Sequence, residues 1–303
     1  MTGKTHDAMA QLIDGKYIAA GIRSRVAQGV AELRARSMAV NLTAILVGGA
    51  HAAKVYAENQ AKTCAAVGIG YTLLELPGDT TQSALQATLR SLADDRAVTG
   101  IMLHLPLPAG LNAQQAQYGI DVIKDVEGVN PANIGHVLYG HPIISPCTAA
   151  AAVGLIESTG VEIQGAEVSI IGASRIAGRP IALLLTERGA TVTVCHVHTR
   201  DIAMHTRHAD VVVVAVGKPG LLTGKDIKPG AVVIDVGINR ITTADEKGNP
   251  ITRTVGDVDF ESAAPVAGWI TPVPGGVGPV TVAMLLSNTL RAARLAYGIE
   301  NAW

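Results

Sequence analysis

The stretch Glu167-Val-Ser-Ile-Ile-Gly-Ala-Ser-Arg-Ile-Ala-Gly178 decides the fold. Its first five residues form an apolar run of strand length, and the run stops at Gly172. Gly178 closes the turn, and a helical pattern runs on to Arg188. A strand that ends in glycine and opens into a helix is a phosphate-binding geometry. The helix N-terminus there offers unpaired N–H groups and a positive dipole end. Ser174 and Arg175 stand within the turn to meet an anion. The spacing is not G-x-G-x-x-G, and any tight strand-to-helix turn also uses glycine. The C-terminal neighbours of the turn favour the binding reading: strands at Thr191–Cys195, Val211–Val216 and Ala231–Val236 alternate with helical or polar segments, as in a parallel sheet.

The first half repeats the alternation. Ile18, Ile22, Val26, Val30 and Leu33 mark a helix over residues 15–36. Strands follow at residues 42–47, 71–76 and 100–104, with helices at 51–67 and from Thr80 or Thr81 through Leu92. Between residues 120 and 148 the pattern breaks, with a polar loop at Lys124-Asp-Val-Glu-Gly-Val-Asn-Pro131. Ser145-Pro-Cys-Thr148 then leads into an alanine-rich helix. The domain boundary falls near residue 148. Thr271-Pro-Val-Pro-Gly-Gly-Val-Gly-Pro-Val-Thr281 is too rich in Gly and Pro for a helix or a central strand. It reads either as a turn before a last helix, near Pro279 to Leu295, or as a rigid loop that brings backbone N–H groups to a flat ligand.

The bulk composition narrows the class. The 303 residues suit two domains, and 48% hydrophobic against 16% charged residues suits buried parallel sheets. A net charge of −1 advertises no polyanion partner, and 3% aromatic residues make no stacking platform for nucleic acid. Cys64, Cys147 and Cys195 are odd in number and lack metal-ligand spacing, which fits a reduced, cytoplasmic compartment. Met1 to Gln11 carry no apolar core of signal-peptide length. No apolar run reaches the roughly 18 residues needed to span a bilayer.

The end of the strand after the glycine turn discriminates NAD from NADP. An acid there holds the ribose hydroxyls, whereas cations hold a 2′-phosphate. Here Cys195-His-Val-His-Thr-Arg200 has no acid before Asp201, which points to NADP, with NAD left possible. His196 and His198 could instead join His205 and His208 at a metal. No carboxylate or cysteine completes such a set, so a solvated loop is the plainer reading and no metal is expected.

Together, several stretches resemble one family. They are Tyr56 with its helix, Leu105-Pro-Leu-Pro108, Lys124-Asp-Val-Glu-Gly128, Pro146-Cys-Thr148, Gly172–Gly178, Val233-Ile-Asp-Val-Gly237, Gly256-Asp-Val258 and Pro272–Pro279. The chain is similar over nearly its whole length to bifunctional methylenetetrahydrofolate dehydrogenase/methenyltetrahydrofolate cyclohydrolases. The resemblance implies an α/β protein of two domains around a cleft, usually a homodimer. Residues 1–148 with 279–303 would form the folate-binding catalytic domain, and 149–278 a Rossmann-like NAD(P) domain. It implies oxidation of 5,10-methylenetetrahydrofolate to the methenyl form by hydride transfer, then hydrolysis of the methenyl bridge. The first step needs alignment more than a base, and the second needs proton management.

Carried over residue by residue, the resemblance makes Tyr56, Gln60, His104 and Glu127 catalytic. Tyr56 stacks on the folate, and Glu127 accepts from the pterin amino edge. Leu105, Pro106, Asp125, Pro274, Gly275, Gly276 and Val277 join Tyr56 and Glu127 on the substrate. The dinucleotide takes Gly172, Ala173, Ser174, Arg175, Ile176 and Gly178. It also takes His196, Val197, His198, Val216, Gly217, Gly237 and Ile238, then Gly278, Pro279 and Thr281, with Thr148 of unassigned role.

Three positions depart from the family pattern. The family places a catalytic Lys four residues after the Tyr, on the same helix face, where this chain has Gln60. Lys54 and Lys62 lie on other faces, and an amide cannot titrate. The family's Gln before Leu-Pro-Leu-Pro is His104, and the second acid of Lys-Asp-Val-Asp-Gly is Glu127. Ala173 and Val197 also occupy candidate cation positions, leaving Arg175, His196 or His198 for a 2′-phosphate. Either cyclohydrolase activity is impaired or lost, or His104 takes over proton transfer. A ligand-binding pseudoenzyme and a dehydrogenase for a related one-carbon carrier also stay open.

Overall fold

The computed structural model describes residues 9–49, 51–244 and 250–300. The N-terminal residues 1–8, which belong to the stretch read for a signal peptide, lie outside the described residues. Contacts divide the chain into two compact units. One holds residues 1–19 and 148–281, and the other residues 20–147 and 282–303. The division falls inside three helices: α1 (Gly15–Ala35), α6 (Cys147–Ser158) and α10 (Val277–Ala296).

The unit of residues 20–147 and 282–303 contains a three-stranded parallel sheet. Its strands are β2 (Asn41–Val47), β3 (Gly70–Leu76) and β4 (Gly100–Leu103), in the order β3-β2-β4. α2 (His51–Ala66) and α3 (Gln82–Asp94) are the crossovers that parallel pairing requires. Thr81 caps α3 by accepting the Ala84 N–H at 3.2 Å. Leu85 and Leu89 of α3, four residues apart, pack on Ile45, Ile101 and Leu103 in one apolar cluster.

The Lys124–Pro131 stretch reads as a polar loop, but the structure buries it. Lys124 Nζ donates to the carbonyls of Leu92 (2.9 Å), Ala93 (2.6 Å) and Asp95 (2.8 Å), satisfying the C-terminal end of α3. Asp125 Oδ2 accepts from Asn130 N (2.7 Å) and Asn133 Nδ2 (2.9 Å). Asn130 then caps α5 (Pro131–Leu138), which follows the short α4 (Ala113–Tyr118). The polar residues are consumed in holding chain to chain, so exposure cannot be read from their polarity.

The other unit carries a six-stranded sheet, parallel at every pairing. Its strands are β1 (Gln11–Leu12), β5 (Glu167–Ile171), β6 (Thr191–Cys195), β7 (Val211–Val214), β8 (Val232–Asp235) and β11 (Trp269–Ile270). They run in the order β1-β11-β8-β7-β5-β6. The sequence pattern places residue 11 with the first half, whereas β1 pairs with β11 in this sheet. β7 and β8 are buried at every residue, as strands covered on both faces must be. An antiparallel hairpin, β9 (Asn239–Ala244) with β10 (Pro250–Val255), leaves the sheet after β8. α7 (Gly178–Glu187) bridges β5 and β6. The four-residue helices α8 (Ala203–Thr206) and α9 (Phe260–Ala263) fill connections.

Candidate functional site

In the unit of the three-stranded sheet, the singled-out side chains converge near the C-terminal end of β4. α2 presents Tyr56 and Gln60 one turn apart. Tyr56 is half exposed, and its ring meets that of His104 edge-on at 5.8 Å. His104 follows β4 directly and is buried, held by its N–H to Ile45 O at 2.9 Å. Burial pushes its imidazole below the ordinary value, so the ring is neutral near pH 7. Among the described residues nothing partners its Nε2.

Gln60 is buried and hydrogen-bonded at its oxygen. Its Oε1 accepts the Tyr71 hydroxyl at 3.1 Å, and its Nε2 lies 2.9 Å from Met102 Sδ. Thioether sulfur is a weak acceptor, so the amide retains donor capacity. Lys54, on another face of α2, pairs with Glu75 at 2.5 Å, and Lys62 is exposed. Position 60 therefore has an oriented amide in place of a titrating amine.

Glu127 approaches the same place from the loop after β4. Burial, with Asp125 adding repulsion, raises its carboxyl to about 7, although the Leu103 N–H donates to it. Its Oε2 is buried with no partner among the described residues. Asp125 is also raised by burial, against the hydrogen bonds from Asn130 and Asn133. Tyr56 is raised by burial and then by the nearby Glu127. Burial likewise holds the Cys147 thiol protonated, and it donates to Val126 O at 3.2 Å. Asn288, which the sequence pattern does not single out, donates to Val126 O (2.8 Å) and Ser145 O (2.9 Å). The result is a half-open aromatic face beside two unsatisfied polar atoms, an acid and an imidazole. Leu105 and Pro106 are exposed just beyond His104 and are joined by a cis peptide.

In the other unit the glycine turn has the form that the sequence indicates. Gly172 has φ +118°, and a Cβ at Gly178 would strike the Gly172 carbonyl oxygen. The strand-to-helix turn therefore closes only with glycine at both ends. Ser174 Oγ accepts from Ala177 N (3.2 Å) and Gly178 N (3.4 Å), which orders the start of α7. Ser174, Arg175 and Ile176 are exposed, while Ala173 is half-buried. β5 lies between β7 and β6, so the strand order reverses there. Ligands of open parallel sheets bind outside the strand ends at such a point.

The neighbouring loops are tied by acids that had no assigned role. Asp257 Oδ2 accepts from Val216 N (2.7 Å) and Gly217 N (2.9 Å), and its Oδ1 accepts from Asn239 Nδ2 (2.8 Å). Asp235, raised by burial to about 6, accepts from Gly237 N, Asp257 N and Val258 N, each at 2.9 Å. These bonds shape the loops of Val216, Gly217, Gly237 and Ile238 and leave Ile238 exposed. Gly256-Asp-Val258 was the available signal, but its partners lie tens of residues away. Asp235 N donates to Thr271 Oγ1 at 2.7 Å, fixing the start of the Pro274–Gly276 loop. α10 begins at Val277, two residues before the expected Pro279, and contains Gly278. The Thr281 hydroxyl is spent on Val277 O at 3.1 Å. Thr148 lies in the first turn of α6.

His196 and His198 sit exposed after β6, their rings 5.8 Å apart. Among the described residues no group of three or more His, Cys, Asp or Glu is placed to hold a metal ion.

A Rossmann-type parallel sheet with a closed glycine turn defines a dinucleotide-dependent protein. The residues present fit that cofactor: glycine at both ends keeps the turn free of side chains, and the α7 N-terminus that follows it is the kind of place that would meet a phosphate. The family model described as the tetrahydrofolate dehydrogenase/cyclohydrolase NAD(P)-binding domain matches residues 146–297. The model of the catalytic domain of the same name matches residues 13–127. The chain belongs to the tetrahydrofolate dehydrogenase/cyclohydrolase family. It is 46% identical to the bifunctional protein FolD of Moorella thermoacetica, across 94% of this chain and 99% of that one. Among solved structures, the bifunctional FolD methylenetetrahydrofolate dehydrogenase/cyclohydrolase of Campylobacter jejuni is 39% identical. It superposes with a TM-score of 0.88, covering 94% of this chain and 99% of that one. The Trypanosoma brucei enzyme, solved with NADP cofactor and an inhibitor, is 40% identical. Its TM-score is 0.87, with 96% of this chain and 99% of that one covered.

Proposed function

We propose that this chain is an NADP-dependent 5,10-methylenetetrahydrofolate dehydrogenase whose methenyltetrahydrofolate cyclohydrolase step is slowed or lost. NADP supplies the acceptor for the hydride that leaves the methylene bridge. Tyr56 offers its ring face to the folate, and Glu127 accepts from the pterin amino edge. Gln60 and His104 line the reacting carbon, with Leu105, Pro106 and Asp125 completing the substrate contact of this unit. The cation formed by hydride loss is delocalised over two nitrogens, so alignment carries the step. The dinucleotide lies on the Gly172–Gly178 turn, the His196–His198 loop and the Val216–Gly217 and Gly237–Ile238 loops. Thr148, Gly278, Pro279 and Thr281 stand at its edge. The chain acts as a homodimer in the cytoplasm. Among the described residues no helix is long and apolar enough to cross a membrane.

The observation that carries the reading is Gln60, a buried amide held by Tyr71 where the family pattern has a catalytic Lys. Hydrolysis of the methenyl bridge adds water, opens one C–N bond and needs a group that takes and returns a proton. Gln60 cannot do this. The test supplies methylene-tetrahydrofolate and NADP and tracks nicotinamide reduction and methenyl-folate decay separately. Reduction with accumulating methenyl-folate is expected. Decay accelerated well above the uncatalysed rate overturns the loss of the second step.

One observation favours a second reading, full bifunctionality through His104. Its neutral imidazole has an unpartnered Nε2, which is the state a general base needs. A fast methenyl-folate decay that His104→Ala abolishes, with dehydrogenase activity retained, selects this reading.

A further inference from the structure

Both peptide groups that flank the Glu127 Cα are held from outside its loop. The group before it carries Val126 O, which accepts from Asn288 Nδ2 at 2.8 Å and from the Cys147 thiol at 3.2 Å. The group after it carries Glu127 O, which accepts from Cys147 N at 3.2 Å. Each peptide group is planar, so holding both sets the direction in which the Glu127 side chain leaves the backbone. The carboxyl at its far end then meets the Leu103 N–H at the end of β4.

Asn288 lies half-buried in the middle of α10, although asparagine is a weak helix former. Its amide has two N–H groups to donate. Two carbonyls match them, Val126 O and, at 2.9 Å, Ser145 O, and Cys147 Sγ is a longer third contact at 3.3 Å. One side chain thus clamps the Glu127 loop to the segment that supplies Cys147. The two segments also touch directly. Gly128 has φ +70°, and a Cβ there would stand 2.6 Å from Pro146 N. The residues of this clamp all belong to the unit of residues 20–147 and 282–303.

We propose that Asn288 is a positioning residue for folate recognition, acting through Glu127: its amide fixes the loop so that the acid stands where a pterin amino edge can be met. Asn288 itself does not touch the substrate. The proposal deepens the folate role given to Glu127 and rests on it. The competing role is that of a purely structural amide, and the two roles move different quantities. A structural amide contributes stability and leaves the affinity of the folded molecules unchanged. A positioning amide changes folate affinity, and does so through the group that it positions.

The test is a double-mutant cycle over wild type, Asn288→Ala, Glu127→Gln and the double variant. Each is titrated with 5,10-methylenetetrahydrofolate without NADP, so that no hydride is transferred, and separately with NADP. Urea midpoints are measured alongside. Asn288→Ala is expected to weaken folate binding about tenfold and to leave NADP affinity within about twofold of wild type. In the Glu127→Gln background the same substitution is expected to weaken folate binding by less than about twofold. The proposal is overturned if Asn288→Ala binds folate as wild type does, whatever its urea midpoint. It is equally overturned by a parallel loss of folate and NADP, or by the same folate loss in both backgrounds. Should Asn288→Ala fail to fold, Asn288→Ser, which keeps a hydroxyl donor on that helix face, goes through the same cycle. Failure of the underlying reading looks different: Glu127→Gln alone then binds folate as wild type does, and the proposal falls with it.

Discussion

Tyr71 donates its hydroxyl to Gln60 Oε1 at 3.1 Å, which orients the Gln60 amide on α2. The oxygen holds one partner, and the NH2 group lies against Met102 Sδ, a weak acceptor, so the amide keeps donor capacity. A donor that cannot release a proton can position a folate carbonyl or nitrogen but cannot shuttle. Gln60→Lys introduces an amine that sheds its charge readily when desolvated. The expected outcome is a rise of at least about tenfold in methenyl-folate hydrolysis, read as absorbance decay, with hydride transfer changed much less. Unaltered hydrolysis in a folded Gln60→Lys protein would show that position 60 is not what limits the second reaction.

Glu127 links folding to pH. Its carboxyl is raised by burial to about 7, so between the ordinary carboxylate range and pH 7 the folded chain holds a proton that the unfolded chain has released. Stability of the folate-free protein therefore falls as pH rises from about 5 to about 8. Asp235, raised to about 6, adds to the same slope. Thermal melts across that range should show the decline, and Glu127→Gln should make it shallower, leaving the Asp235 share. Folate affinity should run the other way, since the pterin amino group needs an ionised acceptor. It should strengthen as pH passes 7 and lose that dependence in Glu127→Gln.

Asp257 is buried and holds two loops at once through Val216 N, Gly217 N and Asn239 Nδ2. In Asp257→Asn the amide oxygen can keep the two backbone donors, but its NH2 group then faces the Asn239 NH2. One bond is lost and a buried donor is stranded, at a cost of about 1–3 kcal/mol. A lower urea midpoint is expected, together with weaker binding of NADP and NAD alike. Cofactor affinities equal to wild type would remove these loops from the dinucleotide site.

Lys124 satisfies three carbonyls at the end of α3, and α3 carries Leu85 and Leu89 into the core. Lys124→Met keeps the length of the stem and removes the ammonium, taking that donor from the Leu92 and Ala93 carbonyls, while Asp95 O keeps the Val98 N–H at 3.2 Å. A loss of about 2–3 kcal/mol is expected from urea unfolding, with a denaturant slope like that of wild type. A loss below about 0.5 kcal/mol would mean that solvent replaces the ammonium at no cost.

Much of the fold was legible because it rests on period and punctuation. Val211–Val216 and Ala231–Val236 are mostly apolar runs of strand length, where β7 and β8 lie, and of the two cap candidates Thr80 and Thr81 the structure uses Thr81. Gly172 and Gly178 could be read from their neighbours alone, since strand and helix meet there with no room for a side chain. The family was legible for the same reason: its motifs are contiguous. β1 and β11 were not, because two-residue strands have no period and exist only through their pairing. The hairpin β9–β10 was missed as well. Its strands alternate exposed and half-exposed residues and bury no apolar face that would announce them.

The sequence by itself determined the alternation of strands and helices, the glycine turn, the absence of an acid before Asp201, and an untitratable amide at position 60. These are properties of local order, where each residue is read against neighbours a few positions away. Only the tertiary structure decided that Tyr71 holds Gln60, that Lys124 closes α3, that Asp257 ties two loops, and that Glu127 is desolvated. Each of these depends on which polar groups meet after the chain has folded. Burial makes such meetings energetically decisive, and partners separated by ten to forty residues carry no local mark of it.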